Sequence, residues 1–97
     1  MNVLLTDDGE ADIADGFWFY ERQAVGLGDY FRSSIISDID SLAFFGGIHE
    51  VQFGFHRTLS RRFPFAIYYL CENETVTVVA VLDCRRRPSW IRRRLEK

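Results

Sequence analysis

Lysine is almost absent from this chain: of twelve basic residues one, Lys97, is a lysine and the rest are arginines. Proton transfer by a lysine is therefore excluded along nearly the whole chain. The arginines cannot replace it, because a guanidinium stays protonated at physiological pH. Cysteine is scarce too, with two residues, and no Cys–His spacing matches a zinc site. We therefore predict neither a metal nor any other cofactor.

Long apolar runs are also missing. The chain has no apolar stretch of about 18 residues, which excludes a membrane span, and its first residues, MNVLLTDDGE, lack the basic region of a secretory signal. We therefore predict a cytoplasmic protein whose two cysteines are free thiols. If Asn73 and Glu74 form a hairpin turn, Cys71 faces Val76 and lies too far from Cys84 for a disulfide.

Length and composition fit one folded domain. Of the 97 residues 47% are hydrophobic and 15% aromatic, and a chain of this size buries roughly 60–65% of its unfolded surface. That is enough for one core without disulfides or metals. We predict a single domain over residues 1–97.

The charge is divided between the two halves of the chain. Residues 1–54 hold two arginines against ten acidic residues, whereas residues 55–97 hold ten basic residues against four acidic ones, so a formal net charge of -2 hides an acidic front and a basic back. The last thirteen residues alone carry seven cations. Such asymmetry is typical either of a protein with a polyanionic partner or of a surface with internal ion pairs.

Helical periodicity dominates the first half. After a β candidate at residues 2–5, Asp7 and Glu10 have the spacing of a capping box at the start of a helix. A second helix, closed by Gly46 and Gly47, is predicted from apolar residues at helical spacing: Leu27, Phe31, Ile35, Ile39 and Leu42. The pattern indicates a strand followed by a helical hairpin.

The second half changes to the period of a β-strand. Apolar and polar residues alternate from Val51, and the alternation runs through Arg61 until Pro64 interrupts it. The segments FAIYYLC and VTVVAVLDC then flank the turn ENET, which indicates a β-hairpin.

Both hairpin strands are apolar on two faces, so the sheet needs cover on both sides. The helical hairpin covers one face, and the other needs a partner, the C-terminal segment, or both. Pro88 suits the first turn of a short last helix with Ile91 and Leu95 on its inner face. We predict an α+β fold in the order β-α-α-β-β-β-(α), with a small, mostly antiparallel sheet packed on a helical hairpin.

Two segments carry a resemblance to a known family: RRFPFAIYY (61–69) and VAVLDCRRRP (79–88). In this element order they resemble the RelE/ParE superfamily, the toxins of bacterial type II toxin–antitoxin systems, which includes plasmid stabilisation proteins. The resemblance covers residues 7–95. It implies a cognate antitoxin that neutralises the chain, and an acidic antitoxin would suit the basic half and the apolar second face of the sheet.

The superfamily implies two activities. RelE-like members bind the ribosome and cleave mRNA as endoribonucleases (mRNA interferases), whereas ParE-like members bind and inhibit DNA gyrase. Cleavage through the 2′-hydroxyl needs a base, an acid and cations around the phosphate. The candidates for the cations are Arg57, Arg61 and Arg85, and His56 is the one nearby group that titrates near neutral pH.

Inhibition by binding needs less chemistry. Exposed Trp and Arg side chains are good interface anchors, and the second half of the chain supplies these candidate target-binding residues: Arg62, Arg86, Arg87, Trp90, Arg93 and Arg94. We therefore favour a growth inhibitor that binds gyrase in the ParE-like mode. The alternatives are ribosome-dependent mRNA cleavage and a family relative that has lost toxicity.

Overall fold

The computed structural model describes residues 1–96 and confirms the α+β class. One sheet contains β1 (Asn2–Leu5), β2 (Val51–Gln52), β3 (Phe55–Leu59), β4 (Phe65–Glu72) and β5 (Thr75–Asp83), in the order β1-β5-β4-β3-β2. The helices are α1 (Asp7–Glu21), α2 (Leu27–Asp40), the short α3 (Leu42–Phe45) and α4 (Pro88–Leu95). The β1–β5 pairing is parallel and the other pairings are antiparallel, which confirms a mostly antiparallel sheet. No helix in residues 1–96 has both the length and the apolar character needed to cross a bilayer.

The ends of α1 are fixed by side-chain hydrogen bonds. Thr6 Oγ1 accepts from the Gly9 N–H at 3.1 Å, so Thr6 caps the helix. The sequence pattern had suggested Asp7 as the capping residue, one position too late. At the other end, Glu21 Oε1 accepts from the Gly28 N–H at 3.0 Å. This bond closes the turn between α1 and α2 and holds the two helices as a hairpin.

The helical hairpin covers one face of the sheet with an aromatic core. The ring of Tyr20 on α1 lies 5.1 Å from that of Phe31 on α2 and 4.8 Å from that of Phe63. Phe31 in turn lies 4.9 Å from Phe65 at the start of β4 and has no exposed surface. Aromatic burial on this scale supplies much of the hydrophobic free energy of a small domain.

Part of the second face of the sheet is covered by α4, whereas Leu59 and Leu70 on the same face remain 57% and 38% exposed. Ile91 and Leu95 are 7% and 8% exposed, which confirms that they form the inner face of this helix. They belong to a separate core cluster with four sheet residues: Ala66, Tyr68, Ala80 and Leu82. The C-terminal segment therefore supplies part of the cover that the sequence predicted for this face.

The strand that was predicted to run from Val51 through Arg61 is interrupted. Phe53 and Gly54 have φ angles of 55° and 85°, and this left-handed turn separates β2 from β3. Strand β3 then ends at Leu59. Placing Arg61 on a strand was wrong, and the target-binding candidate Arg62 also lies in the β3–β4 loop.

The β4–β5 hairpin has the predicted turn. Asn73 and Glu74 both have positive φ, and Cys71 pairs with Val76, as the turn position requires. A bulge between Tyr68 and Tyr69 then shifts the register by one residue. The two cysteines are free thiols, as predicted.

Candidate functional site

A cleft of about 480 Å³ lies where α1, β5 and α4 meet. Phe19 of α1 and Trp90 of α4 contribute apolar surface, and Phe19 is 50% exposed. Charges of both signs lie around these rings, with three aspartates (Asp12, Asp15 and Asp83) and three arginines (Arg22, Arg86 and Arg94). The cleft therefore combines apolar and charged surface, which suits a ligand that carries both.

A half-buried ion pair joins the two helices that form this cleft. Arg94 Nη2 lies 2.6 Å from Asp12 Oδ2, and the two side chains are 16% and 12% exposed. The same carboxylate oxygen accepts from the Val81 N–H at 3.0 Å. Burial raises the pKa of Asp12, while the bonds from Val81 and Arg94 act in the opposite direction. Arg94 was predicted to bind a target, but here it holds α4 against α1.

Trp90 lies in the cleft beneath an arginine. The guanidinium carbon of Arg86 lies 4.3 Å from the centre of the Trp90 ring, within the range of a cation–π contact. Trp90 is partly buried against the α4 core cluster, so it contributes both to packing and to the cleft. Two more predicted target-binding residues, Arg87 and Arg93, are exposed beside it in the chain.

Arg85 is engaged by a neighbouring carboxylate. Its Nε and Nη2 donate to Asp83 Oδ1 at 2.9 Å and to Oδ2 at 2.7 Å. These bonds lower the pKa of Asp83. This bidentate pairing occupies the Nε–Nη2 edge of the guanidinium, whose donors could otherwise bind a phosphate.

Arg57 lies on the α4 side of the sheet. It pairs with Tyr68 across β3 and β4, and its Nε donates to the Tyr68 hydroxyl at 3.2 Å. Its Nη2 lies 3.9 Å from Cys84 Sγ. Burial raises the pKa of the Cys84 thiol, which therefore stays protonated at neutral pH.

His56 lies on the opposite side of the sheet from Arg57, since successive strand residues face opposite ways. Its ring stacks on Tyr69 with centroids 5.0 Å apart. The Tyr69 hydroxyl accepts from the Gly47 N–H at 3.0 Å and lies 2.6 Å from His49 Nδ1. Burial raises the pKa of Tyr69 and lowers that of His49.

The β3–β4 loop is fixed by a carboxylate of α2. Asp38 is 9% exposed, and its Oδ2 accepts from the Ser60 hydroxyl at 2.9 Å and from the Arg61 N–H at 3.2 Å. The side chains of Arg61 and Arg62 are exposed on this loop. Asp38 carried no sequence signal beyond its place on the polar side of a helix.

The predicted site residues therefore divide into separate groups. Arg86, Trp90 and Arg94 meet in the α1–α4 cleft, whereas Arg57 and His56 project from opposite faces of the sheet. The candidate nuclease set of Arg57, Arg61, Arg85 and His56 does not converge on one point. Asp12, the acceptor at the base of the cleft, was missed because its partner Arg94 is 82 residues away in the chain.

A second groove of about 360 Å³ lies on the outer side of the helical hairpin. Phe17, Trp18 and Ile36 line it, and Trp18 is 55% exposed. Arg32 lies over the Phe17 ring, with its guanidinium carbon 4.7 Å from the ring centre. A groove with exposed aromatic surface indicates a site for another protein.

Comparison with known proteins gives one informative result. No protein-family model matches the chain, and no curated protein matches it. Among solved structures it is similar to a chain of the "Chromosomal ParDE TA system from P. aeruginosa", with a TM-score of 0.71 and 16% sequence identity, over 84% of this chain and 92% of that chain. At this identity the likeness is one of fold. The chain therefore shares its fold with a protein of a ParDE toxin–antitoxin system.

Proposed function

We propose that this chain is the toxin of a type II toxin–antitoxin module, a growth inhibitor that acts in the cytoplasm and is neutralised by a cognate antitoxin. The observation that carries the proposal is the fold shared with a ParDE chain over 84% of the sequence. The resemblance of segments 61–69 and 79–88 to the RelE/ParE superfamily points the same way.

We infer further that inhibition follows the ParE-like mode, in which the toxin binds DNA gyrase. The dispersal of the candidate nuclease groups supports this mode. His56 stacks on Tyr69 on one face of the sheet, while Arg57 bonds Tyr68 on the other. General acid–base catalysis needs a proton-transfer group within hydrogen-bond reach of the reacting atoms. Target binding requires only exposed anchors, and Arg87 and Arg93 are exposed in the basic tail.

The antitoxin needs a surface, and α4 already covers the part of the second sheet face around Tyr68. The outer groove of the helical hairpin is the better candidate, because Trp18 and Ile36 remain 55% and 39% exposed there. An amphipathic segment laid in this groove would bury both side chains.

Expression in a bacterial host tests the proposal. Induction of the chain alone is expected to stop growth, and coexpression of the neighbouring reading frame is expected to restore growth and to increase the soluble yield. The variant Trp18→Glu should still stop growth but escape neutralisation, since a carboxylate in the groove opposes apolar burial. Normal growth after induction of soluble wild-type chain would rule out a toxin.

A further inference from the structure

We propose that the α1–α4 cleft binds a peptide segment of the antitoxin that carries a carboxylate beside an aromatic or long aliphatic side chain. The identity of the partner rests on the proposed function, whereas the chemistry of the cleft does not. The cleft has a volume of about 480 Å³, within the range of sites that receive ligands or side chains.

The charges of the cleft are only partly matched within the chain. Asp12 is paired with Arg94, and Asp83 is paired with Arg85 just outside the cleft. Within residues 1–96, Arg22 and Arg86 donate no side-chain hydrogen bond, although Arg86 helps to lower the pKa of Asp83. Two guanidiniums with free donors beside partly buried apolar surface form a site for a carboxylate.

The apolar part of the cleft can bind the aromatic or long aliphatic side chain of the peptide. Phe19 is half exposed, and Trp90 is partly exposed with Arg86 stacked on it. The stacked guanidinium keeps its edge donors free while its face rests on the indole. A carboxylate on Arg86 and an apolar side chain against Phe19 can therefore belong to neighbouring residues of one peptide.

The lining favours a peptide over a nucleic acid. Asp15 also faces the cleft and, within the described residues, forms no ion pair, so the site presents both signs of charge. A nucleic acid brings a phosphate at every nucleotide and would be repelled by this aspartate. A peptide carries one carboxylate where it meets Arg22 and Arg86, and its backbone N–H groups can bond Asp15.

The position of the cleft indicates the source of the peptide. The outer groove and the α1–α4 cleft flank the same helix, and the adjacent residues Trp18 and Phe19 line one each. A segment that occupies the outer groove can cross α1 over these exposed rings and enter the cleft. One continuous antitoxin segment would then cover both sites.

The cleft can be tested with a synthetic probe that needs no knowledge of the antitoxin. In a Trp18→Phe background, Trp90 gives the one indole N–H signal in a ¹⁵N–¹H spectrum. Titration with the peptide acetyl-Gly-Glu-Tyr-Leu-Glu-Gly-amide is expected to shift this signal saturably. The double variant Arg22→Ala and Arg86→Ala should weaken binding by about tenfold, since it removes two charge-assisted hydrogen bonds at a partly exposed site.

A matched control separates the effect of losing the cleft arginines from the effect of losing net positive charge. Arg61 and Arg92 are exposed and do not line the cleft, so R61A/R92A removes the same charge and should change the dissociation constant by less than about twofold. An equal loss in both double variants, or no shift of the Trp90 signal, would overturn the proposal. Tighter binding of a thymidine octanucleotide at Trp90 would overturn it in favour of a nucleic-acid site. The growth assay is independent of these results, because a toxin without a peptide-binding cleft would still stop growth.

Discussion

Arg94 Nη2 lies 2.6 Å from Asp12 Oδ2, and this ion pair ties the last helix of the chain to the first. The two side chains are nearly withdrawn from solvent, and the Val81 N–H bonds the same oxygen. One carboxylate therefore connects α1, β5 and α4. Because α4 packs on the second face of the sheet around Tyr68, this contact links the packing of that core cluster to the shape of the cleft.

Removal of this carboxylate should destabilise the domain. Asp12→Ala leaves the Val81 N–H without an acceptor and the half-buried Arg94 charge without a carboxylate, with only the Asp8 carbonyl oxygen still accepting from Arg94 at 3.2 Å, so we expect a loss of about 3 kcal/mol in the free energy of unfolding. Urea denaturation at neutral pH measures it. In the control Asp29→Ala, an ion pair whose side chains are 54% and 67% exposed is lost, and the expected change is below about 0.5 kcal/mol. Equal effects of both substitutions would contradict the role of Asp12.

The position of the β3–β4 loop should depend on Asp38. Asp38→Ala removes the acceptor of the Arg61 N–H and of the Ser60 hydroxyl, so we expect about 2 kcal/mol of destabilisation and faster hydrogen exchange of the Arg61 amide. Asp38→Asn should have a smaller effect, since an amide oxygen still accepts. The exposed neighbour Asp40 provides the control. An Arg61 amide that exchanges at the wild-type rate in D38A would show that another contact holds the loop.

Acidification should weaken the domain through His49. Burial, together with the charge of His56, lowers the pKa of His49 below its usual 6.5. A lowered pKa means that the folded state resists protonation, so this contribution to stability is fully present above pH 6.5 and declines as the pH falls through the folded-state pKa. The geometry agrees for the tautomer in which Nδ1 accepts from the buried Tyr69 hydroxyl, because protonation of Nδ1 then removes that acceptor.

The measurement compares wild type with His49→Gln in urea at about pH 7.5 and about pH 5.5, on either side of the ordinary histidine pKa. Wild type should lose more stability than H49Q across this interval. Other groups titrate in both proteins and cancel in the difference. An equal loss of stability in wild type and H49Q would show that protonation of His49 does not destabilise the fold.

Growth arrest should survive the loss of the candidate acid–base group. His56→Ala removes the one nearby side chain suited to proton transfer, and in the ParE-like mode the variant still stops growth. The double variant R61A/R85A should also remain active, whereas R87A/R93A, which removes the same charge from the exposed tail, should lose the arrest. Viable counts after induction measure each variant. Loss of arrest in H56A or R61A/R85A, with the variant still folded, would restore the nuclease alternative.

Much of the fold follows from local patterns. The turn at Asn73 and Glu74 sets the pairing of Cys71 with Val76, and the apolar, β-branched and aromatic runs on either side of the turn mark both strands of that hairpin. Pro88 marks the start of α4, with Ile91 and Leu95 inside. Turn chemistry and periodicity act over a few residues, so a single sequence contains them.

The remainder depends on contacts between distant parts of the chain. The alternation of residues continues past Leu59, but the strand ends there, and Asp38 of α2 binds Ser60 and Arg61 in the loop that follows. No turn-forming residue at Tyr68 or Tyr69 indicates the bulge in the sequence.

The candidate site was the least predictable part. The basic tail predicted free cations, yet Arg85 is paired with Asp83, and Arg94 is paired with Asp12 from the acidic half. Counting charge along the sequence cannot show which arginines are already neutralised.

The most direct test of the toxin assignment is pulse labelling of DNA and protein synthesis in the first minutes after the chain is induced alone in a bacterial host. A toxin that binds gyrase stops DNA synthesis first, with protein synthesis continuing until later, and this is the result that we predict. If protein synthesis stops first, the target is the ribosome or its mRNA and the ParE-like mode is wrong. If both continue at the uninduced rate while soluble chain accumulates, the chain is not a toxin.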